Sequence, residues 1–249
     1  MTFSDYTALA VAGLVLATVP VYVVMGRGRP VDPEVAKRPA TVLLGRWVRD
    51  WLMWVIAPLE RVVVGTGVSP DVFNLGGAAL GLVAGIAYAE AWLSLAGWLV
   101  LLGGLMDIFD GRIARARGIA SARGAFLDST LDRFSETFAF VGLACYFSGR
   151  SWAILATALA MGGSLLVSYA RARGEALNVS CRGGLMQRAE RLVLLALASL
   201  LDSPVTGAAG WSPGVFLAAV VALIALGSLG TAFFRTVTIA RELERREAV

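Results

Sequence analysis

Asp107-Ile-Phe-Asp110-Gly111-Arg-Ile-Ala114-Arg115, eight further residues, then Gly124-Ala-Phe-Leu-Asp128-Ser-Thr-Leu-Asp132: four aspartates stand within one stretch of an otherwise apolar chain. A carboxylate near a bilayer core costs roughly 2.5–3.5 kcal/mol, so four together oppose folding by on the order of 10 kcal/mol unless a cation compensates. The stretch therefore asks for a membrane setting and a metal at once.

The setting is fixed by composition. Of 249 residues, 57% are hydrophobic and only 16% charged, too apolar a balance for a soluble domain of this length. Apolar runs near 20 residues predict seven helices, at about 7–25, 72–90, 92–113, 125–147, 152–172, 186–202 and 213–236, and hence an all-α integral membrane protein. The second, third and fourth of these carry glycines and small residues, among them Gly76, Gly77, Gly81, Gly85, Gly97, Gly103 and Gly104, which let helices approach closely.

Basic residues orient the bundle, because cytoplasmic loops retain Lys and Arg. Arg27, Arg29, Lys37, Arg38, Arg46, Arg49 and Arg61 precede the second helix, Arg112, Arg115, Arg117 and Arg123 lie around the third connection, and Arg171, Arg173, Arg182, Arg188, Arg241, Arg245 and Arg246 follow on the same side. The opposite loops carry only Arg150. The expected arrangement is an outside N-terminus, a cytoplasmic C-terminus, and aspartates toward the cytoplasmic ends of their helices in the cell membrane. The first helix has no basic leader and is followed by Met25-Gly-Arg-Gly-Arg, so an uncleaved anchor fits better than a signal peptide. In 34–68, Trp47, Trp51, Trp54, Leu52, Val55 and Ile56 fall on one helical face and Arg46 and Arg49 on the other, as in a helix lying at the membrane surface; a solvated linker is the alternative. The expected organisation is 1–33 anchor, 34–68 surface helix and linker, 69–240 six-helix catalytic domain, and 241–249 cytoplasmic tail.

Histidine is absent, which excludes Ser-His-Asp and Cys-His catalysis and His-ligated metals. Cys145 and Cys181 fall on opposite sides of the membrane and cannot pair.

At 100° per residue, Asp107 and Asp110 stand about 60° apart and Ala114 returns to within about 20° of Asp107, so they form one stripe. Gly124, Asp128 and Asp132 form a second on the next, antiparallel helix. Facing carboxylates repel, and oxygen-only ligands suit Mg²⁺ or Mn²⁺, two ions for four aspartates. Gly111 and Gly124 leave room for a ligand to touch backbone, Ala114 keeps the stripe shallow, and Arg115 can pair with a phosphate oxygen. Any general base must be a carboxylate or something rarer, and Asp132, one turn deeper, is placed to take a proton from an attacking hydroxyl.

The pattern Asp-x2-Asp-Gly-x2-Ala-Arg-x8-Gly-x3-Asp-x3-Asp resembles the signature of the CDP-alcohol phosphotransferases at all eight specified positions. The resemblance implies a six-helix transmembrane bundle, here with an extra N-terminal helix and an interfacial amphipathic helix. It implies transfer of a phosphate-linked group, usually from CDP-diacylglycerol, to an alcohol with release of CMP. Carried over, Asp107, Asp110 and Asp128 would be metal ligands, with Asp132 ligand-adjacent and the general base. Gly111, Ala114, Arg115 and Gly124 would line the nucleotide site, and Asp71 and Asn74, after Ser69-Pro70, would lie near it. A homodimer is also implied.

For the acceptor, Ser168-Tyr-Ala-Arg171-Ala-Arg173-Gly-Glu175 and Arg188-Ala-Glu190-Arg191 resemble the branch that makes phosphatidylinositol phosphate from inositol phosphate. In that branch Ser168, Arg171, Arg191 and Arg235 would bind the acceptor phosphate. Glycerol phosphate or free inositol are the alternative acceptors, and a carboxylate-based cation or proton carrier is the non-enzyme alternative. Glu136, one turn beyond Asp132, is expected to pair with Arg133 or with another helix. The bilayer and its lipids are the expected partners; nucleic acid is not.

Overall fold

The computed structural model describes residues 3–25, 31–32, 35–36 and 45–248. Eight helices account for most of them: α1 (Phe3–Met25), α2 (Arg46–Gly65), α3 (Pro70–Ala89), α4 (Leu93–Ala116), α5 (Ala122–Tyr146), α6 (Ser151–Ala176), α7 (Arg188–Ala209) and α8 (Val215–Glu247). The loop cations Arg27, Arg29, Lys37 and Arg38 lie outside the described residues. Five helices, α3, α4, α6, α7 and α8, are each long and apolar enough to cross a membrane, making this a multi-pass membrane protein. α5 runs among them as the charged strut, carrying Asp128, Asp132, Arg133 and Glu136.

Small residues bring the helices together, as the glycine pattern predicts. α3 packs most extensively on α5 and on α4, and α6 on α8. A Cβ on Gly142 would overlap the backbone of Gly85, and one on Gly85 would overlap Phe138 O, so α3 and α5 touch main chain to main chain. Gly81 is closed by Ser135 in the same seam, and Gly97 of α4 faces Ala196 O of α7 at 3.0 Å from where its Cβ would stand. Gly76 has nothing within 4 Å and takes no part. Beneath this seam Tyr88, Phe140, Leu143, Leu195, Leu217 and Ile224 form the buried core, and the Tyr88 hydroxyl meets Ser199 Oγ at 2.7 Å.

Helix starts follow local chemistry. Ser69 Oγ accepts from Asp71 N (3.3 Å) with Pro70 in the first turn of α3, the start expected from Ser-Pro. Ser121 Oγ accepts from Gly124 N (3.1 Å) and begins α5 three residues ahead of its apolar run. α8 extends past the expected 236 because polar side chains continue it, with Arg246 reaching Glu242 one turn back.

Between α1 and α3, Arg46–Gly65 form the helix α2, and its tryptophan face meets α1. Tyr22 packs against Trp47 and Trp54 at 5.6 and 5.7 Å between ring centroids, and Trp51 Nε1 donates to Thr18 Oγ1 at 2.9 Å. Its charged residues bind the bundle. Glu60 Oε2 accepts from Arg112 Nη1 (2.5 Å), the other arm of Arg112 reaches Asp32 (2.7 Å), and Arg49 reaches Glu190 (3.3 Å). α2 thus bridges α4 and α7 at the basic end of the bundle.

Candidate metal and phosphate site

α4 runs toward the basic end and α5 runs back from it, which sets their two aspartate stripes against each other. Asp107, Asp110 and Asp128 converge, each offering a carboxylate oxygen within 4.8 Å of the others. Asp110 is buried, with Oδ1 accepting from Gly111 N at 2.5 Å, while Asp107 and Asp128 are half-buried. Asp128 Oδ1 is a buried oxygen with no hydrogen-bond partner. An orphaned carboxylate oxygen in a cluster of hard oxygen donors fits a divalent cation such as Mg²⁺ or Mn²⁺.

Asp132 stands beside this trio and not in it. Arg188, the first residue of α7, donates from Nη2 to Asp132 Oδ1 at 2.6 Å and from Nη1 to Asp107 Oδ2 at 2.9 Å. One planar guanidinium therefore links the fourth aspartate to the cluster. The sequence places Arg188 among the basic residues facing the acidic site and in the run Arg188-Ala-Glu190-Arg191, but gives it no aspartate partner; the missing information was the register of α7 against α4 and α5, which no local pattern encodes. A small cavity between α3, α4, α5 and α7 has Asn74, Ser135, Asp107, Asp132 and Arg188 on its wall. Asn74, expected near the nucleotide, is thereby brought to the aspartates.

The remaining nucleotide-site candidates surround the cluster. Gly111 lies beneath Arg115, whose guanidinium would sit 3.0 Å from a Cβ at that position. Ala114 is half-buried, Arg115 exposed, and the Gly124 amide faces Ser121 in the first turn of α5. Asp71 is held by Arg123 at 2.7 Å, so this carboxylate lies at the α4–α5 connection. Arg117 fixes the same connection, donating to Val68 O (2.7 Å) and Val64 O (2.6 Å).

The four acceptor candidates gather at the ends of α6, α7 and α8, where Arg171 and Arg191 both act electrostatically on Arg235. Their hydrogen bonds go to protein groups. Arg191, 2% exposed, forms a two-pronged pair with Glu136, Nε–Oε1 2.6 Å and Nη2–Oε2 3.1 Å, which is the pairing with another helix foreseen for Glu136. Arg235 donates to Gly183 O and Val167 O, each at 2.9 Å. Arg171 meets Glu175 at 2.9 Å on the exposed face of α6, and Ser168 is half-buried. Arg235 and Thr231 also pin the loop feeding α7: Thr231 Oγ1 accepts from Met186 N (2.9 Å), and Gly184, at φ 134°, lies against Thr231 where a side chain would collide. That loop sets where Arg188 begins its helix.

Residues 68–226 match the family model for CDP-alcohol phosphatidyltransferase. A phosphatidylinositol phosphate synthase of Streptomyces avermitilis is 33% identical over 237 residues, covering 90% of this chain and 92% of the relative. One of Cutibacterium acnes is 38% identical over 159 residues, covering 62% and 75%. Among solved structures, Mycobacterium tuberculosis phosphatidylinositol phosphate synthase with CDP-DAG bound superposes with a TM-score of 0.64 at 27% identity, over 73% of this chain and 92% of that one. The same enzyme in complex with manganese and citrate gives 0.64 at 28% identity, over 73% and 87%.

Proposed function

Since this chain belongs to the CDP-alcohol phosphatidyltransferase family, we propose that it transfers the phosphatidyl group of CDP-diacylglycerol to a hydroxyl of inositol phosphate, releasing CMP and making phosphatidylinositol phosphate. The observation that carries this reading is the division of the four aspartates into a converging trio and a fourth set beside it.

Asp107, Asp110 and Asp128 would hold the metal, two ions if Asp132 shares in the second. Bound there, Mg²⁺ or Mn²⁺ supplies positive charge for the diphosphate and the departing CMP. Gly111, Ala114, Arg115 and Gly124 would line the approach for the nucleotide, with Asp71 and Asn74 near it, and Arg115, exposed at the surface, would pair with a phosphate oxygen. Asp132 accepts the proton of the acceptor hydroxyl. The acceptor oxygen then forms its bond to the β-phosphorus as the bond from that phosphorus to CMP breaks, in line. Arg171, Arg191 and Arg235, with Ser168, supply the positive surroundings for an acceptor that carries its own phosphate, a need that a neutral alcohol does not create. The site faces the cytoplasm of the cell membrane in this reading, with the lipid tails entering between helices; a homodimer belongs to the same proposal on the family's account.

The direct test replaces Asp132 by Asn in the purified protein. The expected result is loss of turnover, of order 10²–10⁴-fold, with binding of CDP retained. An active Asp132→Asn protein would remove the base from the reaction.

A further inference from the structure

The guanidinium of Arg188 forms ion pairs with two of the four aspartates, and its position is costly in other respects. It opens α7, where the helix dipole disfavours positive charge, so helix formation does not explain its place. Its Nε is buried without an acceptor, so hydrogen-bond completeness does not explain it either. What it does achieve is geometric. Its two terminal nitrogens hold Asp132 Oδ1 and Asp107 Oδ2 at the fixed separation of a planar fork, 2.6 and 2.9 Å away. One oxygen of Asp107 is drawn to the fork while the residue still contributes an oxygen to the converging trio. Asp132, one helical turn from Asp128 on the same stripe of α5, is turned toward α7.

We propose that Arg188 is the positioning residue that sets Asp132 apart from the converging trio and aims its carboxylate at the acceptor hydroxyl. The four aspartates are alike in chemistry and set one turn apart in pairs; Arg188 makes one of them a base. The inference rests on the reading of Asp132 given above. A lysine could not substitute, since a single ammonium on a flexible stem reaches one carboxylate without fixing the angle between two.

Arg188→Lys and Arg188→Gln test this, with two readouts: steady-state kinetics for CDP-diacylglycerol and acceptor, and Mn²⁺ binding to the purified protein followed by the EPR signal of the free ion. Both variants are expected to lose kcat by about 10²-fold, the cost of a misplaced catalytic group, with KM for either substrate changed by less than about threefold. Mn²⁺ binding is expected to persist in both, because the trio remains. A kcat restored to within about twofold by lysine would show that charge alone matters and overturn the proposal. So would a raised KM with kcat intact, which would make Arg188 a substrate ligand, or loss of Mn²⁺ binding, which would make it a support of the cluster. Should Arg188→Gln fail to fold, Arg188→Lys decides by the same readouts. An active Asp132→Asn protein would refute the base assignment itself; an inactive one beside a fully active Arg188→Gln would refute the role of Arg188.

Discussion

Asp128 has a buried carboxylate oxygen that no protein group satisfies, and such an atom in a low-dielectric setting calls for a cation. Asp128→Asn removes one charge from the trio and is expected to weaken Mn²⁺ binding by at least about tenfold, read by EPR, with CMP release lost in parallel. A chelator should likewise abolish CMP release from the native protein, and added Mg²⁺ or Mn²⁺ should restore it. Glu136→Gln tests the buried pair deeper in α5: Arg191 would keep its charge without a counter-ion, at a cost of about 3–5 kcal/mol in unfolding free energy measured in detergent. An unchanged unfolding curve would mean that Arg191 relocates to water. The aspartates were legible in the sequence because their spacing repeats with the helix and because a carboxylate in apolar surroundings is conspicuous. The partners of Arg188 were not, since one more arginine on the basic side is what membrane topology predicts anyway. The same background concealed how Arg191 and Arg235 are held, by Glu136 and by the carbonyls of Gly183 and Val167.

The helices themselves follow from hydropathy, and their contacts follow from glycine. α3 and α5 cross where Gly85 meets Gly142, a contact that fixes the depth of Asp128 and Asp132 relative to α4. Gly142→Val would push a branched side chain into the backbone of Gly85, and a loss of about 3 kcal/mol or failure to fold is expected, whereas Gly76→Ala, with open space around it, should leave thermal stability in detergent unchanged. Equal effects of the two substitutions would contradict the packing described. Gly142, on the fourth expected helix, is not among the glycines singled out there, because the sequence does not show which backbone a small residue meets. α2 illustrates the opposite limit. Its two-faced pattern predicted a helix at the membrane surface, and the helix exists, but amphipathicity is indifferent to what covers the apolar face. Tyr22 and Thr18 of α1 cover part of it, and the charged face is taken up by Arg112 and Glu190 where solvent was expected.

At the scale of the whole molecule, the bundle places every titratable residue of the site at one end and a dry core of Tyr88, Phe140, Leu195 and Ile224 beneath it. That arrangement suits a reaction between a lipid that stays in the bilayer and an acceptor that arrives from water. α2, salt-bridged to α4 through Glu60 and to α7 through Arg49, spans the two helices that contribute Asp107 and Arg188, so this helix, which precedes the residues 68–226 matched by the family model, is joined to the site and not merely appended to it. The overall architecture and the reaction class were readable from eight motif positions, while the acceptor was only suggested, because arginines serve topology and substrate alike. The decisive measurement follows labelled product when the purified protein is given CDP-diacylglycerol, Mn²⁺ and, in separate reactions, inositol phosphate, free inositol, glycerol phosphate or serine. The expected result is metal-dependent CMP release matched by phosphatidylinositol phosphate with inositol phosphate and little product with the others; product from glycerol phosphate and none from inositol phosphate would contradict it.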